Sequence, residues 1–110
     1  MVLAPGVRTI GELEVIEHLR SGGACVDCRQ AKYFAQGTLP GAVSIPHQNI
    51  LEHRDELEQP MVVFCNGPQC TATPQAVAAL LASGHPASGL LYYRGGIHDW
   101  VTLGLPLHRP

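Results

Sequence analysis

The sequence contains no cluster of lysine and arginine, no long hydrophobic run and no charged-then-apolar leader, and each absence removes a class of function. Its seven basic and nine acidic residues are scattered, with a formal charge of −2. The positive footprint that binds phosphate backbones is therefore missing, and nucleic acid is not an expected partner. The longest apolar runs, such as Ala76 to Ala82, fall far short of the roughly 20 residues that cross a bilayer, so no membrane association is expected. Without a leader, the expected compartment is the cytoplasm. The histidines His18, His47, His53, His85, His98 and His108 show no metal-ligand spacing, and no metal or cofactor is implied.

What is present is a globular composition. Of 110 residues, 45% are hydrophobic and 15% charged, enough apolar material for one core without staples. No repeat, low-complexity tract or linker divides the chain, so one domain over residues 1–110 is expected, with its core at about 9–106.

Thr9 followed by Glu12 has capping-box spacing. Ile10, Leu13, Ile16 and Leu19 then recur at helical intervals until Ser21-Gly22-Gly23, which predicts a helix over 10–20. Short β-prone runs at 24–26, 42–45, 61–64 and 90–93 read as strands. Segments at 31–36, 48–57, 74–83 and 97–103 read as helices. Alternating strands and helices, with strands that are continuously apolar, predict an α/β fold in which a parallel sheet is flanked by helices on both faces. Ligands bind such sheets beyond the carboxyl ends of the strands. Asp27-Cys28-Arg29, the segment from Cys65 to Thr73, and Arg94-Gly95-Gly96 all fall at such ends.

Cys65 stands between a predicted buried strand and the helix that follows Thr73. Unpaired N–H groups and the helix dipole favour an anion there, which predicts a lowered thiol pKa and a better nucleophile. Gly67 permits a tight curve, Thr73 is a possible cap, Pro74 suits the first helical turn, and Pro68 has no N–H to offer. The bland reading of Cys65 is a small buried hydrophobe that ends a strand.

Four segments in register resemble the rhodanese family, from Thr9 to Pro106. Val26-Asp27-Cys28-Arg29 is similar to its Asp-Val-Arg strand end. Gly37-Thr38-Leu39-Pro40-Gly41-Ala42 with Ser44-Ile45-Pro46 resembles its Gly-His-Ile-Pro-Gly-Ala and Asn-Ile-Pro segments. Phe64-Cys65 matches the strand that delivers its nucleophile. Gly95-Gly96-Ile97-His98-Asp99-Trp100 with Gly104-Leu105-Pro106 matches its closing pattern. The resemblance implies a five-stranded parallel sheet and sulfurtransferase activity of the thiosulfate sulfurtransferase type through a Cys65 persulfide. A small sulfur donor would supply the sulfane sulfur, and cyanide, a thiol or a protein acceptor would remove it.

The departure from the family pattern is charge. Many active members carry arginine or lysine in the loop, whereas Asn66, Gly67, Pro68, Gln69 and Cys70 carry none, with Thr71 following. These six residues are the expected substrate-binding wall. Arg29 and Arg94 each follow a strand and could supply the missing charge, although in the family the equivalents of Asp27 and Arg29 mainly tie loops together. The neutral loop leaves open a non-catalytic rhodanese-like binding or regulatory module, and Cys65 with Cys70 leaves open a thiol redox protein. Phosphatase activity, found in relatives with a longer loop closed by arginine, is disfavoured by Cys70-Thr71. Cys25 and Cys28 with Cys65 and Cys70 do not suit a four-thiolate zinc site, because residues three apart on a strand face opposite sides. His47 and His98 follow motif segments and could approach the site. Trp100 and Phe34 read as core.

Overall fold

A computed structural model describes residues 3–110. Its elements run β1 (Arg8–Ile10), α1 (Glu12–Arg20), β2 (Ala24–Asp27), α2 (Ala31–Gln36), β3 (Val43–Ser44), a 3₁₀ segment (His47–Glu56), β4 (Met61–Phe64), α3 (Ala72–Ala82), a short 3₁₀ turn (Ala87–Gly89), β5 (Leu90–Tyr93) and α4 (Gly96–Thr102). The five strands form one parallel sheet in the order β1-β5-β4-β2-β3. The centre is β4, all four of whose residues are buried. A strand covered on both faces must be apolar throughout, as Met61-Val62-Val63-Phe64 is.

Alternation along the strands builds two cores. Val26, Cys28, Val63 and Tyr92 face one side with Ile50 of the 3₁₀ segment and with Ala76, Val77 and Leu80 of α3. Cys25, Val62, Phe64 and Tyr93 face the other with Val15 of α1 and Trp100 of α4. Cys25 and Cys28 thus lie on opposite faces of the sheet, as the strand period requires. Trp100 is buried, packs edge-on against Tyr93 at 6.4 Å and donates from Nε1 to the Pro106 carbonyl at 2.8 Å. Phe34 corrects its expectation: it is only half-buried and joins neither core.

The N-terminal expectation also changes. Arg8–Ile10 is not a helix start but the edge strand β1, paired with Leu91–Tyr93. The cap is Gly11, whose N–H donates to Glu14 at 3.4 Å, so the Thr9–Glu12 box does not form. With the helix starting later, Val15 is its fully buried residue and Leu13 is 84% exposed. A three-residue edge strand is stabilised by its sheet neighbour, which is a long-range partner invisible to local spacing. The segment expected as an α-helix over 48–57 is 3₁₀, with Ile50 as its one fully buried residue. Helix α3 begins at Ala72, with Thr71 rather than Thr73 at the cap. Pro74 does not mark the start, because none of the first-turn N–H groups has an intrahelical partner to lose.

At the carboxyl end of β2, Asp27 is wholly buried and organises the loops. It accepts from the Arg29 N–H at 3.0 Å, from Arg29 Nη2 at 2.7 Å and from Thr38 Oγ1 at 2.9 Å. Arg29 Nη2 also donates to the Gly37 carbonyl at 2.7 Å. Removing one member leaves the other charge buried and unpaired, which costs about 3–5 kcal/mol, whereas loss of one neutral donor costs about 1–3 kcal/mol. Asp27→Ala is therefore expected to lower the urea unfolding free energy by about 3–5 kcal/mol and Thr38→Val by about 1–3 kcal/mol. Equal, small losses in both would contradict this account.

Candidate functional site

The loop that follows β4 returns on itself through Cys70 N–H to the Gly67 carbonyl, 3.1 Å. Its outer side is held by α4: Ile97 N–H donates to the Cys65 carbonyl at 3.1 Å and His98 N–H to the Asn66 carbonyl at 2.8 Å. That approach requires glycine at position 96. Its φ is +59°, and a Cβ there would overlap the Cys65 carbonyl oxygen and come within 2.9 Å of Gly67 N. With the carbonyls of Cys65 and Asn66 taken by α4, the N–H groups of Asn66, Gly67, Gln69 and Thr71 make no hydrogen bond among the described residues. Open amides followed by the N-terminus of an eleven-residue helix form a setting for a sulfur anion or oxyanion.

Cys65 is 2% exposed, and its Sγ lies 3.7 Å from the Cys70 carbonyl oxygen. Burial pushes its pKa up and the Cys70 thiol adds to the rise; the hydroxyl and N–H of Thr73 pull the other way. The expected lowering is thus reversed in the resting thiol, because desolvation of the sulfur outweighs the donors around it. Two further thiols are still more buried: Cys28 is pushed up to about 12 by desolvation, and Cys25 is also raised, chiefly by burial. Both are inert at neutral pH.

Sequence reasoning missed two side chains here. Thr73 is expected only as a cap, yet its hydroxyl is buried without a hydrogen-bond partner among the described residues and pulls both the Cys65 and the Cys28 thiols down. Its place in the first turn of the helix behind the nucleophile was the available signal. Tyr92 lies on the same face of β5; its hydroxyl is raised by burial and by the charges of Cys65 and Cys70, and lowered by Arg94.

The two arginines separate. Arg29 is buried and committed to Asp27 and Gly37. Arg94 is exposed, and its charge pulls the Tyr92 hydroxyl down. An open cleft of about 630 Å³ lies outside the loop, with Pro68, Gln69 and Cys70 on one wall and His98 and Asp99 on the other. His98 Nδ1 is 3.2 Å from Asp99 Oδ1, while His47 contributes a backbone N–H to the Cys28 carbonyl at 3.1 Å. Among the described residues no group of three or more His, Cys, Asp or Glu is arranged to hold a metal, and no helix is long and apolar enough to cross a membrane.

Comparison with known proteins agrees with this architecture. A sulfurtransferase from Allochromatium vinosum is 32% identical over 87 residues, covering 77% of this chain and 78% of that protein. The HTH-type transcriptional regulator Rv0324 from Mycobacterium tuberculosis is 30% identical over 84 residues, covering 74% of this chain; the chain spans only 36% of that regulator. Among solved structures, the human single-domain sulfurtransferase TSTD1 superimposes with a TM-score of 0.69 at 25% identity, over 88% of this chain and 97% of that one. A rhodanese-related protein from Thermoplasma volcanium superimposes at 0.73 with 20% identity, over 94% and 99%. The rhodanese-like domain family model matches residues 13–103, and with the parallel five-stranded sheet and a cysteine loop at the end of its central strand, the chain belongs to that family.

Proposed function

We propose that this protein is a sulfurtransferase in which Cys65 carries a sulfane sulfur as a persulfide. The observation that carries the reading is the setting of Cys65: one thiol faced by Thr73, in a loop whose amides are open, before the N-terminus of α3. The Cys65 thiolate attacks the outer sulfur of a donor, the donor's own bond to that sulfur breaks, and the donor leaves with the electron pair. The persulfide's terminal anion is stabilised by the loop amides and by the Thr73 hydroxyl. Cyanide or an acceptor thiolate then attacks the outer sulfur, and Cys65 thiolate is regenerated in a double displacement.

A second reading is a rhodanese-like binding or regulatory module. The chargeless loop favours it, as does the likeness to a segment of a transcriptional regulator. Mass spectrometry after incubation with donors separates the two: a sulfur adduct on Cys65 supports the transferase, and its absence with every donor supports the module. Cys65→Ser is expected to abolish adduct and transfer while leaving the circular dichroism spectrum unchanged; turnover by the folded variant would sink the transferase reading.

Because burial raises Cys65, its thiolate fraction is small at neutral pH and grows as pH rises above the ordinary cysteine range. Alkylation by iodoacetamide should therefore keep accelerating with pH beyond the point where a free cysteine levels off. Thr73→Val, which removes a donor to the thiolate, should slow the neutral-pH reaction roughly tenfold, the scale of one charge-assisted hydrogen bond. An unchanged pH profile in that variant would remove Thr73 from the site.

The neutral loop makes thiosulfate, a dianion, a poor donor. Exposed helix-end dipoles offer only about 0.3–1 kcal/mol. Gln69→Arg is expected to lower the KM for thiosulfate at low ionic strength and to lose that gain at high salt. Strong parental activity, with no change in the variant at either salt level, would place the needed charge elsewhere, with Arg94 the first residue to test.

A further inference from the structure

Cys65 and the cleft outside its loop do not meet. Cys65 is 2% exposed and is absent from the walls of the 630 Å³ cleft, which are formed by loop residues 66–70 facing His98 and Asp99. Cys70 is on that wall and is half-buried. The turn closed by Cys70 N–H and the Gly67 carbonyl brings it back over the nucleophile, with Cys65 Sγ 3.7 Å from its carbonyl oxygen. The Cys70 thiol is near enough to push the Cys65 thiol up. The other neighbouring thiol, Cys28, is fully buried in the core beneath. Of the two thiols near Cys65, one faces the interior and one faces the cleft.

We infer that Cys70 is a second catalytic thiol, which takes the outer sulfur from Cys65 and presents it to acceptor thiols too large to reach Cys65. The inference rests on the Cys65 persulfide reading. An S–S bond of about 2.05 Å carries the outer sulfur beyond Sγ. The Cys70 thiolate forms a bond to that sulfur and the bond between the two sulfurs on Cys65 breaks. The electron pair returns to Sγ of Cys65, which takes up the proton that Cys70 gave up. No oxidant or reductant is consumed. An acceptor thiolate in the cleft then attacks the sulfur on Cys70 and restores its thiolate. Cyanide is small enough to discharge Cys65 directly and does not need the second thiol.

The test uses inorganic polysulfide, a donor small enough to reach Cys65, with persulfides alkylated at intervals and located by fragmentation mass spectrometry, in the parent, Cys65→Ser and Cys70→Ser. Expected are adducts on Cys65 and then Cys70 in the parent, on Cys65 alone in Cys70→Ser, and none on Cys70 in Cys65→Ser during the time that loads the parent. In Cys70→Ser the rate of discharge to glutathione relative to that to cyanide should fall about tenfold, since exchange rates follow access. Discharge to glutathione at the parent's rate relative to cyanide, equally fast loading of Cys70 without Cys65, or a Cys65–Cys70 disulfide with released hydrosulfide as the parent's product would each overturn the relay. Loaded Cys65 with no sulfur on Cys70 defeats the relay alone. Unloaded Cys65 in the parent defeats the transferase reading and the relay with it.

Discussion

The contact between the Gly95-Gly96 turn and the cysteine loop sets the conditions for everything chemical in this molecule. Two amides of α4 occupy the carbonyls of Cys65 and Asn66, and the loop is held by its acceptor side. A backbone gripped in this way leaves the N–H groups of Asn66, Gly67, Gln69 and Thr71 without a hydrogen bond among the described residues. A Cβ at position 96 would push the turn away from the loop, because the atoms it meets are backbone and cannot rotate aside. The pairing of a glycine turn with a cysteine loop is therefore one device, assembled from residues about thirty positions apart.

Burial governs the thiols. Three of the four cysteines are buried and raised in pKa, and Thr73 at the start of α3 opposes the rise at Cys65 and at Cys28. Desolvation is a cost for a resting thiolate, and in the proposed transferase it would also shield a sulfur adduct from water and stray thiols. The Asp27–Arg29–Thr38 network holds the neighbouring strand end rigid, and Cys28 N–H joins it to β4 by donating to the Phe64 carbonyl at 2.9 Å. Charge in this region is spent on holding loops, so the loop facing the cleft remains neutral.

Much of the fold was legible in the sequence. Four strands, the helices and the parallel arrangement follow from short apolar runs alternating with helical spacing, and Cys65 follows from its place between a strand and a helix. Family resemblance added the fifth strand, and the pairing of Arg8–Ile10 with β5 shows why local reasoning could not: three residues of an edge strand have no pattern of their own. The opposed placement of Cys25 and Cys28 was likewise contained in the strand period.

What only the tertiary structure decided are quantities that depend on distant neighbours. The direction of the Cys65 shift came from competition between burial and donors, and sequence reveals donors more readily than it reveals depth. Thr73 and Tyr92 join the candidate site because α3 covers the face of the sheet to which Tyr92 of β5 turns, which no spacing rule announces. Arg29 and Arg94 look equivalent as residues that follow strands. Packing commits Arg29 to a buried carboxylate and leaves Arg94 exposed, because a charge is drawn to whichever partner the fold brings near.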